Sequence, residues 1–239
     1  MKERMEKNSS ATLIIDADDT LWENNIHFEK AIEGFLDLVE KRGRERDTAW
    51  TLLSQFERKN IPQHGYGTRG FTVSMMETLE EVTGARASSS DRERILELGR
   101  EVQNMPIQYL PGVRETLPVL KELHRLILFT KGDLMEQRGK VERSGVSPFF
   151  HHVEFTEEKA PEDYLRVVDL YHLRPELTWM VGNSPRSDVN PAMEVGLGAV
   201  YIPHPRTWSL EHEEVRRPKG ARLKILSRFE ELIEHFCGQ

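Results

Sequence analysis

The apolar run Ala11 to Ile15 stops abruptly at Asp16-Ala17-Asp18-Asp19-Thr20, and no other stretch constrains the fold and chemistry of this chain so tightly. A short apolar run closed by acids reads as a buried strand that ends at the rim of a sheet. Side chains two apart on a strand share a face, so Asp16 and Asp18 arrive at that rim together. Two desolvated like charges repel, and stability alone gives no reason to put them there. A cation or a reaction does.

Three later segments have the same architecture or complete it. The strand-like run Leu126-Ile127-Leu128-Phe129 ends in Thr130-Lys131-Gly132. Lys159 stands in Glu158-Lys159-Ala160-Pro161, and the run Leu177 to Val181 leads into Gly182-Asn183-Ser184-Pro185-Arg186-Ser187-Asp188. In this order the segments resemble the motifs of the haloacid dehalogenase (HAD) superfamily: Asp-x-Asp-x-Thr/Val, a strand-end Thr, a Lys, and Gly-Asp-x-x-x-x-Asp. The chain departs from that pattern at Asn183, where an Asp is usual. The resemblance runs from about Ala11 to Val200. It implies an α/β fold with a HAD-like Rossmannoid core, a parallel sheet flanked by helices, and the phosphatase type of the family with a helical C1 cap.

The residue pattern outside the motifs agrees with such an organisation. Phe28, Ala31, Ile32, Phe35 and Val39 form one amphipathic stripe. Trp50, Leu53 and Phe56 suggest a second helix, and Phe71, Met75, Leu79 and Val82 a third that Gly84 stops. A fourth is expected from Ser90, paired with Glu93 in a capping box, through Ile95, Leu98 and Val102. From Leu110 onward strands and helices alternate, the signature of βαβ units. The expected division is therefore a core of residues 1–22 and 109–239 and a four-helix cap of residues 23–108. Ser227 and Glu230 suggest another capping box before a last helix, and Pro118 is expected in the first turn of the helix that follows Gly112.

Composition narrows the function classes. A chain of 239 residues, 38% hydrophobic, can bury one large core or two modest ones. A net charge of −7 gives no basic face for nucleic acid. The single cysteine, Cys237, excludes an internal disulfide and fits a reducing, cytoplasmic setting. Met1 to Ser10 is polar and lacks the apolar region of a signal peptide. No window is apolar enough for a membrane span. The nine histidines show no Zn2+ spacing.

The resemblance also implies roles. Asp16 is the expected nucleophile that becomes an aspartyl phosphate, and Asp18 the acid and base. Thr130, Lys131 and Lys159 are expected to bind the phosphoryl group. Mg2+ is the expected cofactor, held by Asp16, the backbone carbonyl of Asp18, Asn183 and Asp188. In the Gly-rich stretch Ile61 to Phe71, read as a loop, Gln63, His64, Tyr66 and Arg69 are candidate substrate contacts; Asn24, Asn25, His27 and the loop His204 to Trp208 are others. The favoured reading is a Mg2+-dependent phosphomonoesterase acting on a small phosphorylated metabolite. Two others stand beside it: a metal-independent haloacid dehalogenase, whose relatives lack an acid two residues past the nucleophile, and a catalytically weak binding module, suggested by Asn183.

Overall fold

The structure, a computed structural model, describes residues 10–237. All but Ser10 of the polar segment Met1 to Ser10 therefore lies outside the described residues. Six strands form one parallel sheet: β1 (Thr12–Ile15), β2 (Arg125–Lys131), β3 (His152–Thr156), β4 (Thr178–Gly182), β5 (Gly198–Tyr201) and β6 (Leu223–Ile225), in the order β3-β2-β1-β4-β5-β6. The chain builds one half outward from β1 through β2 to β3, then crosses over to β4. That reversal puts a crevice beyond the C-terminal end of β1, the place where open α/β sheets receive ligands.

Both faces of the sheet are covered, which is why its central strands are nearly continuous apolar runs. Leu13, Ile15, Leu126, Leu128 and Val181 pack against α5 (Val113–Leu123), α6 (Leu134–Ser144) and α9 (Glu231–Phe236). Ile14, Ile127, Phe129 and Met180 point the other way, onto α7 (Pro161–Leu170) and α8 (Asn190–Glu194). Neighbouring residues thus serve opposite cores, as the two-residue strand period requires.

Between β1 and α5 the chain forms α1 (Asn25–Lys41), α2 (Arg46–His64), α3 (Thr68–Thr83) and α4 (Ser89–Gln103). Their apolar stripes meet in a separate cluster that includes Phe35, Val39, Leu53, Met75, Leu79 and Leu98. The chain leaves and re-enters the sheet layer at one point, where Trp22 bridges Tyr109 and Leu110 N donates to Leu21 O at 2.9 Å.

Several local expectations are corrected. The α4 capping box is Ser88 with Asp91, two residues earlier than Ser90 with Glu93: Ser88 Oγ accepts from Asp91 N, and Asp91 accepts from Ser88 N, each at 3.2 Å. The run of three serines permits either register, and Arg42, 2.5 Å from Asp91, selects this one. Ser227 does not cap α9; Glu230 stands at that N-cap with no side-chain bond, while Ser227 N donates to Glu231. Pro118 lies inside α5, not in its first turn, because α5 already begins at Val113. Burial of Val113, Leu117 and Leu120 offsets the hydrogen bond that Pro118 cannot donate. The stretch Ile61 to Phe71 is mostly helical, with only Gly65, Tyr66 and Gly67 between α2 and α3. β6 was not anticipated, since three residues carry too little alternation to read as a strand.

Candidate active site

Asp16 follows β1 directly, its N–H still donating to Val181 O at 2.9 Å, so the sheet itself aims its carboxylate into the crevice. Lys159, in the loop between β3 and α7, reaches across to it. Lys159 Nζ lies 2.5 Å from Asp16 Oδ1 and 2.8 Å from Asp188 Oδ1, with the lysine only 3% exposed. Burial opposes the ammonium, yet the two carboxylates outweigh it and hold Lys159 charged. One cation between two buried carboxylates leaves an excess negative charge. Burial pushes the Asp16 carboxyl up to about 7 against the pull of Lys159, and Asp188 adds repulsion. Asp16 Oδ2 accepts no hydrogen bond among the described residues.

Asp188 is delivered by a π-helical turn, Pro185–Val189, immediately after β4. Its Oδ2 accepts from Ser184 N at 2.9 Å, and Ser184 Oγ accepts from Ser187 N, so the turn is tied at both ends. Gly182 is required here for close approach: a Cβ at that position would stand 2.2 Å from Asp188 Oδ2.

Asp18 is fully engaged. Trp22 Nε1 donates to Oδ1 at 2.8 Å, while Gln137 Nε2 and Lys140 Nζ donate to Oδ2 at 2.9 and 2.7 Å. Burial alone would raise its pKa; Lys140 and the three hydrogen bonds more than reverse that and hold it below the usual carboxylate value. Trp22, Gln137 and Lys140 escaped sequence reasoning. Only the i, i+3 spacing of Gln137 and Lys140 on α6 hinted that both face the same way.

Asn183 is held at both ends of its amide: Thr20 Oγ1 donates to Oδ1 at 3.2 Å, and Nδ2 donates to Thr207 Oγ1 at 3.0 Å. A carbonyl oxygen has two lone pairs, so one acceptor position remains. The free Oδ2 of Asp16, the Asp188 carboxylate and this amide oxygen are all hard donors, and the uncompensated charge at Asp16 calls for a cation; the set fits Mg2+. Asp19, Glu23 and His204 bring ligand atoms within 4.8 Å of one another, but they do not suit such an ion. Asp19 already accepts from the N–H groups of Asn24 and Asn25, His204 Nδ1 accepts from Arg206 N, and imidazole is a soft choice for a hard cation. Asp19 adopts φ of 58°, which Asp tolerates and which turns its carboxylate to the start of α1.

A cavity of about 340 Å3 opens over these groups, between the C-terminal edge of the sheet and α1 to α3. Thr130, buried to 1% exposure, lines it with no side-chain hydrogen bond among the described residues. Lys131 also reaches the cavity, but its ammonium is occupied by Glu211 at 2.6 Å, Ser187 Oγ at 2.8 Å and Glu158 at 3.3 Å. It does not stand free for a phosphoryl group. Of the four candidates around the glycine loop, Tyr66 lines the cavity while Gln63, His64 and Arg69 do not; Gln63, in α2, and Arg69 are exposed. Asn24 and Asn25 line it, as do Thr207 and Trp208, whereas His27 does not.

The helices are fastened to the sheet layer by a few polar ties. Tyr66 Oη donates to Glu158 at 2.7 Å and its ring meets Trp208 edge-on, with centroids 6.1 Å apart. Glu136 of α6 accepts from Thr68 N at 3.0 Å and from Thr68 Oγ1 at 2.5 Å, capping α3 from outside. Gly67, at φ of 107°, makes room for this, since a Cβ there would lie 2.8 Å from Glu136 Oε2. Arg206 pairs with Glu29 of α1.

Residues 11–196 match the family of haloacid dehalogenase-like hydrolases. The chain belongs to that family. A haloacid dehalogenase-like family hydrolase from Xanthomonas campestris has the same architecture, with a TM-score of 0.82 and 32% identity over 95% of this chain and 92% of that one. The glyceraldehyde 3-phosphate phosphatase of Pyrococcus furiosus is 28% identical over 113 residues, 45% of this chain and 47% of that protein. The N-acylneuraminate-9-phosphatase of Homo sapiens is 28% identical over 128 residues, 52% of each chain. The chain thus spans about half the length of these two curated relatives in the match. Among the described residues no helix is long and apolar enough to cross a membrane.

Proposed function

We propose that this HAD-like hydrolase is a phosphomonoesterase that works through an aspartyl phosphate, with α1 to α4 acting as its cap and a small phosphorylated metabolite of the cytoplasm as its substrate. The observation that carries the reading is the buried trio of Asp16, Lys159 and Asp188, which leaves Asp16 Oδ2 without a donor at the floor of the cavity. One carboxylate oxygen of Asp16 attacks phosphorus, the other being left for the metal, and the bond to the leaving oxygen breaks. Asp18 supplies that oxygen with a proton, and in the second half-reaction takes one from the water that cleaves the acyl phosphate. Trp22, Gln137 and Lys140 keep Asp18 ionised, the form needed in the second half; arrival of an anionic phosphoryl group is what raises it for the first. Lys159 balances charge on Asp16 and the phosphoryl oxygens, and Thr130 offers them a hydroxyl. Mg2+ bound by Asp16, the Asp18 carbonyl, Asn183 and Asp188 would supply the remaining positive charge.

Hydrolysis of phenyl phosphate with and without Mg2+ tests the reading. Turnover only with the metal supports it, release of halide from a 2-haloacid without metal replaces it, and no turnover leaves a binding module. Asp18→Asn should slow release of a poor leaving group by at least about tenfold while Mg2+ binding, followed by isothermal titration, persists through the backbone carbonyl.

Asn183 yields a further expected outcome. Asp at that position adds ligand charge, so Asn183→Asp should lower the Mg2+ concentration for half-maximal activity, and Asp188→Ala should raise it sharply or abolish activity. A Mg2+ titration of wild type and both variants decides this. An unchanged midpoint for Asn183→Asp removes position 183 from the metal, and an unchanged midpoint for Asp188→Ala removes the whole fourth motif.

A further inference from the structure

The cavity changes character away from the carboxylates. α2 turns Trp50, Ser54, Glu57 and Ile61 toward it, at i, i+4, i+7 and i+11 on one helix face, and Phe28 and Phe71 close the other sides. The three lysines that line the cavity all belong to the sheet side and are committed: Lys131 to Glu211, Lys140 to Asp18, Lys159 to Asp16 and Asp188. Glu29, the other acid of the helices at the wall, is paired with Arg206. Glu57 alone faces the cavity from the helices with neither an ion-pair nor a hydrogen-bond partner among the described residues. Burial with no compensating partner pushes its carboxyl up to about 7.

An unpartnered carboxylate on the face of a helix costs stability, and replacing it by a neutral polar or apolar residue would relieve that. Its placement makes chemical sense when a ligand brings the missing positive charge. We propose that Glu57 reads the leaving group, and that the substrate is a phosphomonoester whose alcohol carries an aromatic or alkyl body and, beyond it, a protonated amine. The apolar body lies among Phe28, Ile61 and Phe71, and the ammonium donates to Glu57. A charged donor gains more from a carboxylate than a neutral hydroxyl does, and a leaving group bearing its own carboxylate is repelled by Glu57 with no wall cation left to receive it. This inference rests on the phosphatase reading and narrows it to a substrate class.

The test uses three esters that share one ring: 4-(aminomethyl)phenyl phosphate, phenyl phosphate and 4-carboxyphenyl phosphate, with Mg2+ at pH 8. Taking ratios of kcat/KM within each protein variant, then comparing the ratios, cancels differences in leaving-group acidity. Wild type should prefer the aminomethyl over the carboxy ester by about tenfold or more. Glu57→Gln, close to Glu in shape, should bring that ratio down toward one, and Glu57→Lys should invert it. Asp16→Asn serves as the control that turnover belongs to this site. If the esters are hydrolysed but the ratio is the same in wild type, Glu57→Gln and Glu57→Lys, the assignment of Glu57 is overturned and the phosphatase reading stands. If no ester is hydrolysed, the phosphatase reading fails and the inference falls with it.

Discussion

Asp16→Asn should be folded and inert: kcat for phenyl phosphate falls to less than about a hundredth of wild type, a barrier increase of at least roughly 2.7 kcal/mol. The amide keeps the shape of the carboxylate and an oxygen for Lys159, but it is a poor nucleophile. Folding should not suffer. Asp16, Lys159 and Asp188 together carry one uncompensated negative charge, and the substitution leaves Lys159 and Asp188 as a balanced pair. The sign follows from the raised Asp16 pKa. With the folded value at about 7 and the ordinary value at 3.8, the native state holds the extra proton between those limits, so ionising Asp16 lowers stability as pH rises through that window. In metal-free buffer at pH 8 the melting temperature of Asp16→Asn should therefore equal or exceed that of wild type. A variant that keeps more than about a hundredth of wild-type kcat would remove Asp16 from the role of nucleophile.

Lys159→Met should damage both stability and catalysis. Removing one member of a buried, paired set leaves charge without compensation and costs about 3–5 kcal/mol. Here two carboxylates are left facing each other, and protonation of Asp16, whose carboxyl burial already pushes up, softens the loss. As pH falls Asp16 takes up a proton and the repulsion disappears; the deficit in melting temperature should be larger at pH 8 than at pH 5. Adding Asp16→Asn to Lys159→Met should recover part of the lost stability, because the pair is coupled through direct contact. Activity should stay absent in both variants. Equal melting curves for wild type and Lys159→Met at pH 8 would show that the lysine does not hold the carboxylates together.

The stretches that were legible in the chain are those where one physical rule acts without competition. Leu126 to Phe129 and Leu177 to Val181 read as strands because both sheet faces are covered, and the α1 stripe read as a helix because only one of its faces is buried. Misreadings occurred where local rules tie. Three serines offer alternative capping registers, and a distant Arg42 breaks the tie. Two glycines around Tyr66 suggested a long loop, although Pro62 fits into the last turn of α2 and Thr68 starts the next helix under the carboxylate of Glu136.

The order of residues along the chain determined which side chains stand at strand ends. Asp16 after β1, Lys131 closing β2 and Asn183 after β4 follow from local periodicity and from the chain turning at the end of each strand. The tertiary structure alone decided how their charges combine. That Lys159 serves Asp16 and Asp188 together, that Lys131 is taken up by Glu211, that Lys140 comes from α6 to hold Asp18, and that Glu57 is left alone in the wall are all results of contacts between segments far apart in sequence. Periodicity reports the direction of a side chain relative to its own element. The partner it meets, and hence its charge state and chemistry, depends on how the elements pack, because electrostatic energies in a buried site are set by distances of a few ångströms.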